Sequence, residues 1–204
     1  AIASIIHDVV RIAIQQSQPT NELFNAIRHD YGEEVLGIVL ALCKISDIKL
    51  KVSKEQASDF RDMIVSYSED PRVILIKLAD RLEVMRSLDI FPEAKRRTKS
   101  WESLNLYAQI AHKLGLYAIK SELENLCMMY RFPEEYKEIQ RKIDETEPER
   151  QQYIERFMAP IREVLDRNNF QYEMTARVKS IYSIWNKMRR KEIPFEEVYD
   201  LFAI

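Results

Sequence analysis

Glycine is scarce in this sequence, with 3 in 204 residues, and helical periodicity fills most of the length; together these set the class as mainly α. Cysteine is nearly missing too. The only two, Cys43 and Cys127, sit far apart inside apolar helical patterns, which excludes a disulfide framework. They read as small core residues of a reducing compartment and point to the cytoplasm. No charge excess exists: 31 basic and 33 acidic residues leave a net charge of −2, so nothing in the total recommends DNA as a partner. Phosphate binding would have to come from local clusters. No apolar run approaches the roughly 18 residues of a membrane span, so no membrane partner is expected. The opening AIASIIHDVV lacks the basic start and cleavage site of a signal peptide. It reads as the inside of an amphipathic helix, and the chain closes within the apolar run Leu201-Phe202-Ala203-Ile204, so the sequence is expected to be an excised fragment.

Hydrophobic residues make up 46% and charged residues 31%, the profile of a globular protein with enough chain for one domain, or for one domain and part of another. The stretch from Pro71 to Leu88, PRVILIKLADRLEVMRSL, organises the rest. Asp70 is a good N-cap and Pro71 suits the first helical position, so a helix starts sharply here. From Val73 to Ala79 only Lys77 is polar, which predicts a helix in the middle of a helical core. Asp80 then needs a partner, since an unpaired buried carboxylate costs several kcal/mol or becomes neutral. Lys77, one turn back, is the bland partner; a metal ion shared with a second cluster is the functional one.

Along the chain, Ala1 to about Gln15 reads as a first helix with Ile2, Ile5, Ile6 and Val9 facing the core. Pro19 and Thr20 stop it and cap a second helix, which Gly32 closes. Glu33 to Ser46 is a strongly apolar third helix. Asp47 to Val52 is a polar link, and Ser53-Lys-Glu-Gln56 is a capping box opening a fourth helix to about Ser68. Phe91 to Lys99 reads as a basic loop. Helices resume to Lys113 and, past Gly115, from Leu116 to about Tyr130, with Tyr107, Ile110, Ala111 and Leu114 as one core face. From Pro133 to Asn168 a charged helical pair has a narrow seam, Tyr136, Ile139, Ile143, Tyr153, Phe157, Ile161, Val164 and Leu165, as a connector between domains would. Pro148 opens its second helix. Phe170, Tyr172 and Met174 then alternate with polar residues as a half-buried strand, a helix runs from Val178 to Arg190, and VYDLFAI forms a second strand. Strand, helix and strand in that order begin an α/β domain.

Three constellations carry chemistry. His7-Asp8 could bind one divalent cation through imidazole nitrogen and carboxylate oxygen, though a dipeptide alone is weak. Arg177, Lys179, Ser183, Lys187 and Arg190 form a basic run in which Lys179, Ser183 and Lys187 fall at i, i+4 and i+8; a polyphosphate is the ligand such a stripe would take, against the bland reading of a solvated helix side. Tyr199-Asp200 sets one acid in an apolar strand, where it could hold Mg²⁺ opposite those cations.

The phrases VILIKLADRL, SWESLNLYAQIAHKLGLYAIKSELENL, ARVKSIYSIWNKM and FEEVYDLFAI, in this order, resemble the RelA/SpoT homologue family of (p)ppGpp synthetase/hydrolases along nearly the whole chain. The resemblance implies three regions: an N-terminally incomplete HD hydrolase-like domain over 1–130, a helical connector over 131–168, and the beginning of a truncated synthetase domain over 169–204. It implies that His7, Asp8 and Asp80 match hydrolase ligands for Mn²⁺. Arg177, Lys179 and Lys187 match residues that contact nucleotide phosphates, and Asp200 matches the synthetase's Mg²⁺-binding acid. It further implies bacterial stringent-response metabolism, ATP with GDP or GTP as substrates of the parent, (p)ppGpp as a ligand, and ribosome association through C-terminal regions outside this chain.

Departures from the family pattern at catalytic and binding positions of the hydrolase come first. Its Val-Val-Glu-Asp after the His-Asp pair, whose two acids serve the catalytic water, becomes Val9-Val10-Arg11-Ile12, and Asp-Arg-Leu-His-Asn-Met-Arg-Thr becomes Asp80 to Ser87 with Glu83, Val84 and Ser87 in the changed places. Such a pattern suits a hydrolase fold kept for regulation, with a vestigial metal site, in a chain whose full-length parent makes (p)ppGpp. On the synthetase side the usual glycine before the arginine is Ala176. The fragment itself is expected to be inactive in both reactions. An active Mn²⁺-dependent (p)ppGpp 3′-pyrophosphohydrolase is the second reading, and a helical interaction module without nucleotide chemistry the third.

Overall fold

The computed structural model describes residues 2–47 and 70–203. The expected fourth helix, Ser53 to Ser68, lies outside them. The chain divides into two compact units, Ala1–Ile119 and Lys120–Ile204. The first contains α1 (Ile2–Gln15), α2 (Asn21–Tyr31), α3 (Glu33–Asp47), α4 (Pro71–Arg86), a 3-10 turn at Leu88–Ile90, α5 (Glu93–Glu102), a π-helical segment at Ser103–Tyr107 and α6 (Ala108–Lys113). Helix α3 packs against α1, α2 and α4. Leu36, Val39 and Leu42 meet Val10, Ile27, Val73 and Leu78 in one apolar cluster, each such side chain contributing about 1.5–3 kcal/mol by leaving water.

Local chemistry sets the helix ends. Asp70 caps α4 by accepting from the Arg72 N–H at 2.9 Å, with Pro71 at the first position. Gly32 ends α2 at φ +88°, a conformation that costs glycine little, and its N–H donates to the Arg28 carbonyl at 3.0 Å. Thr20 stands at the N-cap of α2, but its side chain makes no capping bond, a correction to the expected role.

Which face each helix buries departs from expectation in several places. On α1 the buried residues are Ala3, His7, Val10 and Ala13, whereas Ile2, Ile5 and Val9 are exposed and Ile6 is only partly covered. The apolar arc of this helix is wider than the face the core covers, so the arc does not fix which part of it is buried, and small alanines fit close helix packing. Helix α4 lines the core instead of crossing its middle: Val73, Ile74, Leu78, Leu82 and Met85 are buried, but Leu75, Ala79 and Asp80 are exposed. Asp80 therefore bears no large desolvation cost. The basic run is not a loop; α5 begins at Glu93 behind Pro92, and Arg97 pairs with Glu93 at 2.5 Å across one helical turn. The π-helical segment widens its turn and shifts the core face to Ser103, Leu106, Ile110 and Ala111, leaving Leu114 exposed.

The second unit takes in most of α7 (Tyr117–Arg131), within which the division falls, then α8 (Pro133–Glu145), α9 (Glu147–Arg167), β1 (Arg177–Val178), α10 (Ile181–Lys191), a 3-10 turn at Phe195–Glu197 and β2 (Phe202–Ala203). Met128, Ile139, Ile143, Ile181, Ile184, Trp185 and Phe195 form its core. Pro133 and Pro148 sit in the opening turns of α8 and α9. Buried Arg150 donates from Nη1 to the Ile143 carbonyl at 3.0 Å and so serves the C-terminal end of α8. The expected seam on α9 is misplaced: Ile154 and Met158 are buried, whereas Tyr153, Phe157, Ile161 and Val164 are exposed.

Phe170 to Thr175 form no strand. Two-residue β1 instead pairs antiparallel with β2, Arg177 opposite Ala203 and Val178 opposite Phe202. Helix α10 begins at Ile181, with Ser180 rather than Val178 at its start. The class is mainly α, with the strand–helix–strand unit reduced to this short ladder. Among the described residues no helix is long and apolar enough to cross a membrane.

Candidate functional site

Two polar clusters hold the residues that sequence reading singles out. In the first unit, the His7 ring is buried on α1. Its Nδ1 lies 2.8 Å from the Ser4 carbonyl oxygen. A carbonyl only accepts, so in the neutral ring Nδ1 carries the proton and Nε2 keeps its lone pair, with Asp8 Oδ1 3.7 Å away. His7 thus has the form of a metal ligand. Asp8 does not: Arg11 donates to its Oδ1 from Nη2 at 2.7 Å and from Nε at 3.1 Å. That hydrogen bond, with the charges of Arg11 and Lys77 behind it, holds the Asp8 carboxyl below its ordinary range against partial burial.

Asp80 is half exposed and pairs with Lys77 Nζ at 3.5 Å, the bland partner expected from the spacing. The Lys77 stem lies against a small apolar cavity shared with Ile45, Ile74, Leu78, Tyr107 and Ile110. Arg81 is largely buried. It donates to Glu102 at 2.8 Å and its guanidinium stands 4.3 Å from the Tyr107 ring centroid, tying α4 to the π-helical segment. Ile12 is exposed, Glu83 pairs loosely with Arg86 at 3.9 Å, and Val84 and Ser87 are partly covered. Among the described residues no three His, Cys, Asp or Glu side chains stand together as a metal site. Each carboxylate faces a cation of its own neighbourhood, so His7, Asp8 and Asp80 stand as separate donors and not as one ligand set.

In the second unit the short ladder brings Lys179 beside Asp200, the Lys179 N–H donating to the Leu201 carbonyl at 2.8 Å. Lys179 Nζ donates to Asp200 Oδ2, and Lys187 Nζ, from α10, donates to Oδ1. These two bonds and the lysines' charges hold the Asp200 carboxyl well below its ordinary range. Asp200 is not inside a strand but just before β2, with its side chain 48% exposed. The two lysines meet by a route other than the predicted helical stripe, because Lys179 precedes α10. The Ser183 hydroxyl is engaged by the Ser180 hydroxyl at 2.7 Å, and the Ser183 N–H donates to Ser180 Oγ at 3.2 Å. Arg177 is exposed on β1 and Arg190 is exposed near the end of α10.

Sequence reading did not single out Glu124, which is buried on α7. Lys120 Nζ donates to it at 2.7 Å, Ser180 Oγ donates to Oε2 at 2.9 Å, and Ser183 Oγ lies 3.5 Å from the same oxygen. The neighbouring Asn125 Oδ1 accepts from the Tyr182 N–H at 3.4 Å. The signal was available: a Lys–Glu pair at i, i+4 leading into the apolar run LCMM.

Comparison with known proteins shows that the HD domain family matches residues 1–117. A guanosine-3′,5′-bis(diphosphate) 3′-pyrophosphohydrolase of Aquifex aeolicus is 36% identical over 204 residues, covering 100% of this chain and 28% of that protein. A GTP pyrophosphokinase of Myxococcus xanthus is 34% identical over 206 residues, covering 99% of this chain and 26% of its own length. A GTP pyrophosphokinase of Escherichia coli K12 is 34% identical over 187 residues, covering 88% of this chain and 25% of its own. The chain thus spans about a quarter of the length of the curated relatives it matches.

Proposed function

The chain belongs to the HD domain family, among the RelA/SpoT homologues, and from that membership we propose that it is part of a (p)ppGpp synthetase, a GTP pyrophosphokinase of the bacterial stringent response, whose HD domain is regulatory and not hydrolytic. In this reading 1–130 is the HD domain, 131–168 the connector and 169–204 the start of the synthetase domain, working in the cytoplasm on ATP and GDP or GTP.

The observation that carries the reading is the convergence of Lys179 and Lys187 on Asp200. Two ammonium groups at a half-exposed site supply the charge density that a polyphosphate needs, with Arg177 near one of them on β1. With phosphate oxygens as partners for the lysines, Asp200 would be the acid that holds a Mg²⁺ ion. The metal's part is to neutralise charge on the transferring pyrophosphoryl group. On the HD side, the bond from Arg11 to Asp8 supports a regulatory role, since it puts a fixed cation where Mn²⁺ would compete.

The test is Asp200→Asn in the full-length protein, assayed for (p)ppGpp formation from ATP and GTP. Turnover falls by orders of magnitude if the reading is right. Unchanged turnover removes Asp200 from the mechanism, and an unmodified full-length protein that forms no (p)ppGpp overturns the reading. Hydrolysis of (p)ppGpp is the second reading, favoured by the ligand-like tautomer of His7.

A further inference from the structure

We propose that Glu124 is a positioning residue for the Lys179–Asp200–Lys187 cluster, fixing from the buried side the start of α10 and through it both lysines. The inference rests on the synthetase reading above. An ionised carboxylate that is only 3% exposed has a large desolvation cost, and a leucine in its place would pack without that cost. What Glu124 gains is a set of specific bonds at one helix start. Its oxygens take Lys120 Nζ at 2.7 Å and the Ser180 hydroxyl at 2.9 Å, while Ser180 Oγ accepts the Ser183 N–H at 3.2 Å. Asn125, next along α7, takes the Tyr182 N–H. Two donors of the first turn of α10, the Tyr182 and Ser183 N–H groups, are thus met from α7 and from the helix's own cap, with the Glu124 carboxylate at the positive end of the helix.

The lysines follow from this anchorage. Ser180 directly follows Lys179, whose N–H is fixed to the Leu201 carbonyl beside Asp200. Lys187 lies two turns along the same α10. A displacement of Ser180 therefore moves one ammonium group directly and the other through a rigid helix, and both distances to Asp200 change at once. Glu124 touches no substrate in this arrangement; it acts through Ser180.

The test compares Glu124→Ala, Ser180→Ala and their double variant in the full-length protein, beside Asp200→Asn and Ile139→Ala. Ile139 belongs to the apolar core that α10 packs into, and its side chain has no atom that could join these hydrogen bonds. Each of the first two variants should lower kcat roughly tenfold to a hundredfold, the range expected when reacting groups are misplaced by about 1 Å. The double variant should be no worse than the weaker single, because both changes cut one linkage. Glu124→Gln, which still accepts from Ser180, should stay within a few-fold of the parent and keeps the test open if Glu124→Ala does not fold. In this 204-residue chain, carbon-13 NMR should show the Asp200 carboxyl titrating higher in Glu124→Ala and unmoved in Ile139→Ala. An inactive Asp200→Asn beside an unimpaired Glu124→Ala overturns the positioning role and leaves the synthetase reading standing. Additive losses, or an Asp200 titration that Glu124→Ala does not move, overturn it as well. An active Asp200→Asn takes the cluster out of the mechanism and the positioning role with it, whereas an unmodified protein that forms no (p)ppGpp overturns the synthetase reading instead.

Discussion

At the scale of single residues, the two clusters share a chemical theme in that each acid expected to hold a metal is met by a cation of this chain. Asp200 gives the clearest consequence. Its carboxyl is held low by Lys179 and Lys187, so the folded protein binds its proton less readily than the unfolded chain does. The stabilisation is fully present above the unfolded value of about 3.9 and is lost as the pH falls through the lower folded value. Because the side chain is about half exposed, solvent screening keeps the effect small, within ~1 kcal/mol. Carbon-13 NMR of the chain should show Asp200 titrating below the ordinary carboxylate range, and Lys187→Met should move it up and make unfolding less sensitive to acid between about pH 2 and 4. An Asp200 that titrates at its ordinary value would contradict the paired arrangement. The pair Lys179 and Lys187 was legible from sequence as a cationic set with Asp200 opposite it, but the direct bonds from both lysines to that carboxylate were not, since they depend on a ladder between residues 24 and 26 positions apart.

At the scale of elements, ends were legible and faces were not. Asp70, Pro71, Gly32, Pro133 and Pro148 act through bonds and steric limits within a few residues, so their effect is written locally. The buried faces of α1 and α9 are chosen by neighbours far along the chain, and both helices offer more apolar surface than the core takes up. Phe170 to Thr175 has a strand's alternation without a strand's partner. The same division predicts opposite signs for two glycine substitutions. Gly115 sits at φ +73° between α6 and α7 with open space around its Cα, so Gly115→Ala meets only backbone strain and should destabilise by roughly 1–2 kcal/mol. Gly37 lies inside α3 with equally open space and no positive φ, so Gly37→Ala should stabilise by about 0.5–1 kcal/mol. Urea denaturation of the two variants checks both; equal signs would show that the helix boundary at Gly115 is not fixed by backbone conformation.

At the scale of the whole molecule, a helical unit matched by the HD domain family precedes a unit that carries the proposed phosphate-binding residues Lys179 and Lys187. The proposed outcome is that the full-length protein does not hydrolyse (p)ppGpp at a useful rate. A metal-bound water needs ligands that hold the ion and a placed acid or base that handles its proton, and the latter alone is worth ~10²-fold to 10⁴-fold. His7 meets part of the first need, but Asp8 is bonded to Arg11 at 2.7 Å and Asp80 faces Lys77 at 3.5 Å. Arg11 and Ile12 meet none of the second. Val84 offers no polar group to a nucleotide, and a donor or acceptor left unpaired there costs a further ~1–3 kcal/mol. The measurement is 3′-pyrophosphate release with Mn²⁺ by the full-length protein, beside a variant carrying Arg11→Glu, Ile12→Asp, Glu83→His and Val84→Asn. The unmodified protein should release almost none and the fourfold variant measurably more, with Arg11→Glu by itself already raising Mn²⁺ affinity because it takes the competing cation from Asp8. Robust release by the unmodified protein would mean that other acids replace the missing pair, and hydrolysis would become the leading reading.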